Sequence, residues 1–296
     1  MLASDLGGSR RCSILADKPV NPAHAGKGEE RFAFGRNWRR FLDGLGEEQI
    51  REAERSLAGM LEVRTLDGLS FLDAGSGSGL FSLAARRLGA TVHSFDFDPD
   101  AVACAAALKA RNFPDDADWK VEQGSVLDPA YLSSLGNFDL VYSWGVLHHT
   151  GRLWEALELI AARVKPGGTL FIALYNDQGP LSRAWGMLKR TYVLHPVLHP
   201  VLRPLLLAVC FTGLWGPRLL IDLLRLRPLT TWRGYVRHRG MSPWTDVVDW
   251  AGGSPFEVAS PDAVVDFLVP RGFSLRRIRT VGGRLGNNQF VFRRSG

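Results

Sequence analysis

Between Ser70 and Leu174, short apolar runs alternate with stretches whose apolar positions recur every three or four residues. Short runs bounded by Gly, Pro or Asp read as strands, and the stretches between them as amphipathic helices. The pattern predicts strand one at Ser70–Asp73, a helix from Leu80 to Leu88 stopped by Gly89, and strand two at Thr91–Phe95. Pro99 then opens a helix to about Arg111, followed by strand three at Trp119–Gln123 and strand four at Phe138–Ser143. A helix from about Arg152 to Val164, ended by Pro166-Gly167-Gly168, precedes strand five at Thr169–Leu174. Such an alternation implies a parallel sheet covered on both faces. It stops for about a hundred residues and resumes as a helix, Asp262–Val269, and two strands, Ser274–Val281 and Gln289–Arg294. These last strands predict a terminal hairpin.

The flanks differ in character. Residues 1–30 carry Gly, Ser, Pro and charge without periodicity and read as a disordered leader. Residues 31–66 read as a helical arm, with Phe41, Leu45, Ile50, Ala53, Leu57 and Leu61 at helix-like spacings. Residues 67–178 form the core, 179–260 an insertion, and 261–296 the closing helix and hairpin. In the insertion, Pro196, Pro200, Pro204, Pro217 and Pro228 predict short, broken helices.

Composition narrows the setting more than the activity. The net charge of +6 permits an anionic partner without demanding one, since no run of five like charges occurs. Cys12, Cys104 and Cys210 are odd in number and widely spaced, which predicts neither a disulfide framework nor a zinc site and favours a cytoplasmic location. The longest apolar run, Leu205 to Trp215, is shorter than the roughly 20 residues of a membrane span. His195 and His199 have a metal-like spacing, but Pro196 and Pro200 disturb any helix that would align them, so no metal is expected.

The candidate chemistry starts at Phe71-Leu72-Asp73-Ala74-Gly75-Ser76-Gly77-Ser78-Gly79-Leu80. Alternate glycines between a strand and a helix let the backbone turn sharply and approach a ligand closely. The dinucleotide fingerprint needs a glycine where Leu80 stands, which argues against NAD or FAD. The spacing instead resembles motif I of the class I S-adenosylmethionine (SAM) methyltransferases. About twenty residues on, Asp96 ends strand two, where a carboxylate can accept both hydroxyls of a ribose. Asp98, before Pro99, reads as a helix N-cap.

Phe138-Asp139-Leu140-Val141-Tyr142-Ser143-Trp144-Gly145-Val146-Leu147-His148-His149 is similar to the strand-four motif of the group that includes the ubiquinone-pathway O-methyltransferases, which often carry Glu-His where this chain has His148-His149. The resemblance implies a Rossmann-like, doubly wound, mostly parallel seven-stranded α/β sheet with an antiparallel terminal hairpin and a helical lid. It implies SAM as methyl donor and S-adenosylhomocysteine (SAH) as product. It assigns Gly75 and Gly77 to the methionine moiety, Asp73 to the loop or the cofactor ammonium, Asp96 to the ribose, Phe97 to the adenine face, Ser125 and Val126 to the adenine edge, and Trp144 to packing on the cofactor.

A histidine here has a pKa suited to taking a proton from a hydroxyl or amine, so His148 or His149 is a candidate general base, or alternatively pins the loop. Asp177 after strand five is a candidate to orient the substrate or a histidine, or to cap a turn. Trp38, Tyr175 and Trp244 are candidate acceptor contacts. Tyr175-Asn176-Asp177-Gln178 lacks the Asn/Asp-Pro-Pro-Tyr signature of amino-methylating nucleic-acid enzymes.

The expected activity is therefore methyl transfer to an oxygen, less readily nitrogen or carbon, of a small-molecule or natural-product acceptor. The alternatives are an RNA or protein methyltransferase and a non-catalytic SAM-binding module. The insertion holds ten Lys or Arg against three Asp between Gln178 and Trp250. It fits a packed lid, a cap for an amphiphilic substrate at a membrane surface, or a homodimer interface. The expected partner is an acceptor of aromatic, glycosylated or lipid-linked chemistry, with no stable nucleic-acid partner and at most peripheral membrane contact.

Overall fold

A computed structural model describes residues 42, 44–195, 199–225, 254–282 and 286–296. The element order is α1 (Glu47–Leu61), β1 (Ser70–Ala74), α2 (Leu80–Arg87), β2 (Thr91–Asp96), α3 (Pro99–Asn112), β3 (Trp119–Gln123), α4 (Pro129–Ser134), β4 (Phe138–Trp144) and α5 (Leu153–Ala161). Then come β5 (Val164–Tyr175), α6 (Pro180–Leu194), α7 (His199–Leu224), α8 (Pro261–Leu268), β6 (Phe273–Arg279) and β7 (Asn287–Arg294). The seven strands lie in the order β3-β2-β1-β4-β5-β7-β6, with β7 antiparallel to both β5 and β6. This is the doubly wound seven-stranded sheet with an antiparallel closing hairpin that the resemblance implies.

Residue alternation along each strand sorts the core into two layers. Leu72, Val141, Ile172, Phe290 and Phe292 face one side, where α5 contributes Leu157 and Ile160 and α8 contributes Val264. Phe71, Leu140, Tyr142, Phe171 and Val291 face the other, against Leu83 and Ala84 of α2 and Leu57 of α1. The arm helix therefore covers the sheet, and Arg87 ties it down through Glu47 at 2.6 Å. Because chain direction across the sheet reverses between β1 and β4, their carboxyl ends leave a crevice at the switch point.

Three boundaries differ from the sequence expectation. Strand β5 starts at Val164, not Thr169, and α5 stops at Ala161. Val164 already pairs with Phe138, and a register shift follows. At Gly168, an added Cβ would meet the Lys165 and Asp139 carbonyl oxygens at 2.9 and 3.0 Å, so a glycine there lets the strand continue past Pro166. Helix α4 is absent from the prediction, although Asp128 caps it by accepting the Ala130 and Tyr131 N–H groups.

The third difference is α7, which runs through Pro204 and bends rather than ends near Pro217, while Pro196 and Pro228 lie outside the described residues. It turns by 45° between Leu207–Gly213 and Trp215–Leu224. Pro217 lacks the N–H that would reach the carbonyl four residues back, at Gly213, and its ring pushes that carbonyl aside. Among the described residues no single helix is long and apolar enough to cross a membrane; the two arms of α7 pass that test only together.

Candidate functional site

Gly75, Gly77 and Gly79 all take positive φ, at 86°, 54° and 79°. A Cβ on Gly75 would lie 2.5 Å from both γ-methyls of Val146, so the loops after β1 and β4 cross with no room for a side chain. The Gly75 and Ser76 N–H groups both donate to the Phe95 carbonyl, at 2.9 and 3.0 Å. The Gly77 N–H donates to Asp96 Oδ2 and the Asp98 N–H to Asp96 Oδ1, each at 2.9 Å. Asp96 thus couples the glycine loop to the tip of β2. Burial of its carboxyl pushes the pKa up to about 6 against the pull of those N–H groups. Such an acceptor gains from further hydroxyl donors. Ser76 Oγ is buried in the same loop without a partner. A ribose hydroxyl pair at Asp96 and a polar group at Ser76 both fit this cradle.

Asp73 lies beneath the loop, 2% exposed. The resemblance assigns it to the loop or to the cofactor ammonium. Its carboxylate accepts the Ser82 hydroxyl of α2 at 2.5 Å, because β1 turns its side chain toward α2. Ser82 Oγ in turn accepts from Ser94 Oγ at 2.8 Å, and Ser94 Oγ accepts from the Trp119 indole N–H at 2.8 Å. This donor chain crosses from β3 through β2 and α2 to β1, and each link polarises the next. Burial, followed by the charge of Asp96, drives Asp73 up to about 7, opposed by Ser82. Ser82, Ser94 and Trp119 escaped the sequence reading because nothing in their spacing marks a network spanning four elements.

The loop after β3 is held against β2. The Gly124 N–H donates to the Asp96 carbonyl at 3.0 Å, and Gln123 Nε2 donates to the Phe97 carbonyl at 3.1 Å. Phe97 is half-buried at this edge. Ser125 Oγ accepts the Leu127 N–H at 3.1 Å, so its hydroxyl serves the turn. The Val126 side chain is buried in the core, which leaves its backbone as the part able to meet a ligand. Asp98 caps α3 by accepting the Asp100 N–H at 2.9 Å, as its position before Pro99 suggests.

Beyond β4, Trp144 is half-buried against the α1–α2 side of the core. His148 is fully buried, and its Nδ1 accepts the Tyr175 backbone N–H at 3.2 Å. The Tyr175 ring lies on the imidazole, with centroids 3.8 Å apart. His148 Nε2 is buried without a partner. Burial first, then His149 and Lys189, holds the His148 pKa well below its ordinary value. His149 Nδ1 lies 2.8 Å from the Pro255 carbonyl, an acceptor only, so the Nδ1–H donates. Burial and the charge of Lys189 lower His149 to about 3, against the effect of that hydrogen bond.

Residues from far along the chain complete the cluster. The Ala259 N–H donates to the Tyr175 carbonyl at 2.9 Å and the Glu257 N–H to the His148 carbonyl at 2.9 Å. This lays the 254–259 segment along the ends of β4 and β5. Phe256 sits 5.5 Å from the Tyr175 ring, and Lys189 of α6, itself buried, places Nζ 4.6 Å from the Phe256 centroid. Lys189, Phe256 and Pro255 were not among the sequence candidates, since no spacing links them to strand four.

Asp177 does not join the histidines. It is exposed, and Oδ1 accepts the Gly179 N–H at 2.8 Å in the turn that starts α6, the capping role weighed for it as an alternative. Trp38 and Trp244 lie outside the described residues. Among the described residues no group of three or more His, Cys, Asp or Glu is placed to hold a metal ion.

Comparison with known proteins adds to this geometry. A family model described as a methyltransferase domain matches residues 32–239. The ubiquinone biosynthesis O-methyltransferase of Xanthomonas campestris pv. campestris (strain B100) is 34% identical over 128 residues, 43% of this chain and 52% of that protein. Its counterpart in Paramagnetospirillum magneticum is 34% identical over 125 residues, 42% of this chain and 47% of that protein. The chain spans about half the length of the curated relatives it matches. Among solved structures, a magnesium protoporphyrin IX methyltransferase from Synechocystis PCC 6803 with bound SAH superposes with a TM-score of 0.52 at 16% identity, covering 88% of this chain and 94% of that one. At that identity the likeness concerns the fold.

Proposed function

Because the chain belongs to the methyltransferase domain family, we propose that it is a SAM-dependent methyltransferase that alkylates an oxygen of a small-molecule acceptor. The observation that carries the reading is Asp96, whose carboxylate joins the Gly77 N–H to the end of β2, an arrangement that supports its receiving a ribose diol. The identity shared with proteins named O-methyltransferases supports oxygen as the acceptor atom.

SAM, when bound, supplies a methyl group on a positively charged sulfur that leaves as a neutral thioether. The chain's own residues then have three tasks. Asp96 would hold the ribose and the glycine loop the methionine moiety. The crossing of Gly75 and Val146 sets the distance between the cofactor loop and the strand-four loop. The His148–His149–Tyr175 cluster lines the side from which an acceptor approaches. In-line placement of acceptor and methyl group is the larger contribution, up to about 7–11 kcal/mol in favourable intramolecular reactions.

Isothermal titration with SAH tests the reading. One site per chain is expected, and Asp96→Ala should weaken binding about 100-fold, the worth of two hydrogen bonds to a charged group. Unchanged affinity in that variant would refute the ribose assignment.

A further inference from the structure

We propose that Tyr131 is a positioning residue for the adenine end of the cofactor: its ring, pressed on Gly124 and braced by Glu122, holds the Gly124–Val126 loop where that loop tells adenine from a deaminated purine; this rests on the methyl-transfer reading above. The first support is Gly124. Its φ lies outside the left-handed region, so the backbone alone would admit any residue there. What excludes a side chain is Tyr131. An added Cβ would lie 2.2, 2.3 and 2.6 Å from Cε1, Cζ and Oη of its ring. The phenol end therefore rests on the first residue of the loop, whose N–H donates to the Asp96 carbonyl at 3.0 Å.

The second support is how the ring is kept there. Tyr131 lies in α4, and its N–H and that of Ala130 both donate to Asp128 Oδ1 at 3.0 Å. The helix thus begins within the same loop and returns the ring to the loop's start. The ring meets Phe95 edge to face, with centroids 5.2 Å apart. Phe95 is the residue whose carbonyl accepts the Gly75 and Ser76 N–H groups. At its far end, the Tyr131 hydroxyl donates to Glu122 Oε1 at 2.8 Å, and Glu122 is gripped in turn by His93 at 2.9 Å and Lys120 at 2.6 Å. Burial, then Glu122, raises the Tyr131 pKa, so the hydroxyl stays a donor. One anchored ring therefore touches both the strand end that carries the glycine loop and the loop that follows β3.

What this loop offers a ligand is backbone. The Leu127 and Asp128 N–H groups turn inward to the Ser125 hydroxyl and carbonyl. Among the described residues nothing accepts the N–H groups of Ser125 and Val126. An N–H at the edge of a purine complements the bare N1 of adenine and opposes the N1–H of hypoxanthine. The contrast is a hydrogen bond made against two donors face to face, and it lasts only while the loop is held within hydrogen-bond reach.

Calorimetry on the full chain tests this with two ligands, SAH and S-inosylhomocysteine, the analogue in which oxygen replaces the purine amino group. Wild type should bind SAH about tenfold tighter than the analogue. Tyr131→Ala should weaken SAH about tenfold and the analogue less than about threefold, so that the preference shrinks. General destabilisation would weaken both ligands alike and leave the preference unchanged. Tyr131→Phe, which keeps the ring on Gly124, should retain most of the preference. Gly124→Ala should weaken SAH about tenfold alone and less than about twofold when added to Tyr131→Ala. If Tyr131→Ala does not fold, Tyr131→Leu takes its place in both comparisons. Equal affinity of wild type for the two ligands, a preference unchanged without the ring, or an equal cost of Gly124→Ala with and without it overturns the proposal. Failure of SAH itself to bind wild type would instead overturn the methyl-transfer reading.

Discussion

The pKa of Asp73 makes the stability of the fold depend on pH in a way one substitution can isolate. Its carboxyl group is 2% exposed and held at about 7 by burial and by Asp96, above the ordinary value of 3.8. The native state therefore keeps a proton that the unfolded chain has released between about pH 4 and pH 7. Stability attributable to this group is full below that window and falls as pH rises through it. About three units at 1.36 kcal/mol each set a ceiling near 4 kcal/mol, and relaxation around a buried charge brings the expected loss to about 2 kcal/mol. Asp73→Asn mimics the protonated acid: its amide oxygen still accepts from Ser82 Oγ, now 2.5 Å from the carboxylate. Urea denaturation at several pH values compares the two proteins. Near pH 5 they should agree within about 1 kcal/mol, and near pH 8 the Asn variant should be more stable by about 2 kcal/mol. A difference that stays constant from pH 5 to pH 8 would mean that Asp73 is not the buried, proton-holding group described.

Other perturbations probe neighbouring links. Gly75→Ala should cost about 2–4 kcal/mol, from the positive φ and the 2.5 Å approach to Val146. Adding Val146→Ala should return about 1 kcal/mol in a denaturation cycle; no recovery would refute the steric argument. Asp139 is held at about 2, against its burial, by Lys165 at 2.8 Å and by Ser70. Its contribution, about 1–2 kcal/mol after allowance for partial exposure, is present above about pH 4 and lost as pH falls toward 2. Asp139→Asn should therefore be less stable than wild type at neutral pH, with the gap closing in acid. Trp119→Phe takes away the donor to Ser94 and should cost about 1–2 kcal/mol while raising Asp73 further, read as a shift of the pH-dependent window.

The cofactor half of the site is legible because it is made largely of backbone. Alternate glycines, an acidic residue ending the next strand and a proline after Asp98 each have a local physical meaning that survives without a structure. The same locality explains why β1 to β4 are placed within a residue or two. It fails where a local signal meets a longer-range one. Pro166 and two glycines read as the end of a helix, yet pairing of Val164 with Phe138 carries β5 back through them. Pro204 and Pro217 read as breaks, yet the apolar length of α7 sustains the helix with one bend.

The acceptor half follows a different logic. His148 was a candidate base by residue type, and its role turns on one backbone N–H, that of Tyr175, which lies 27 residues away in sequence. The tautomer of an imidazole is decided by what its nitrogens meet, not by its neighbours in sequence. His149 is likewise set by Pro255, 106 residues away, and by Lys189 on a helix of the insertion. These three contacts set the tautomers of the two histidines and, with burial, lower their pKa values, and they do so from segments far away in sequence. The 254–259 segment returns to the sheet edge, where the Ala259 N–H bonds to the Tyr175 carbonyl, which places the Pro255 carbonyl against His149 and Phe256 beside the Tyr175 ring.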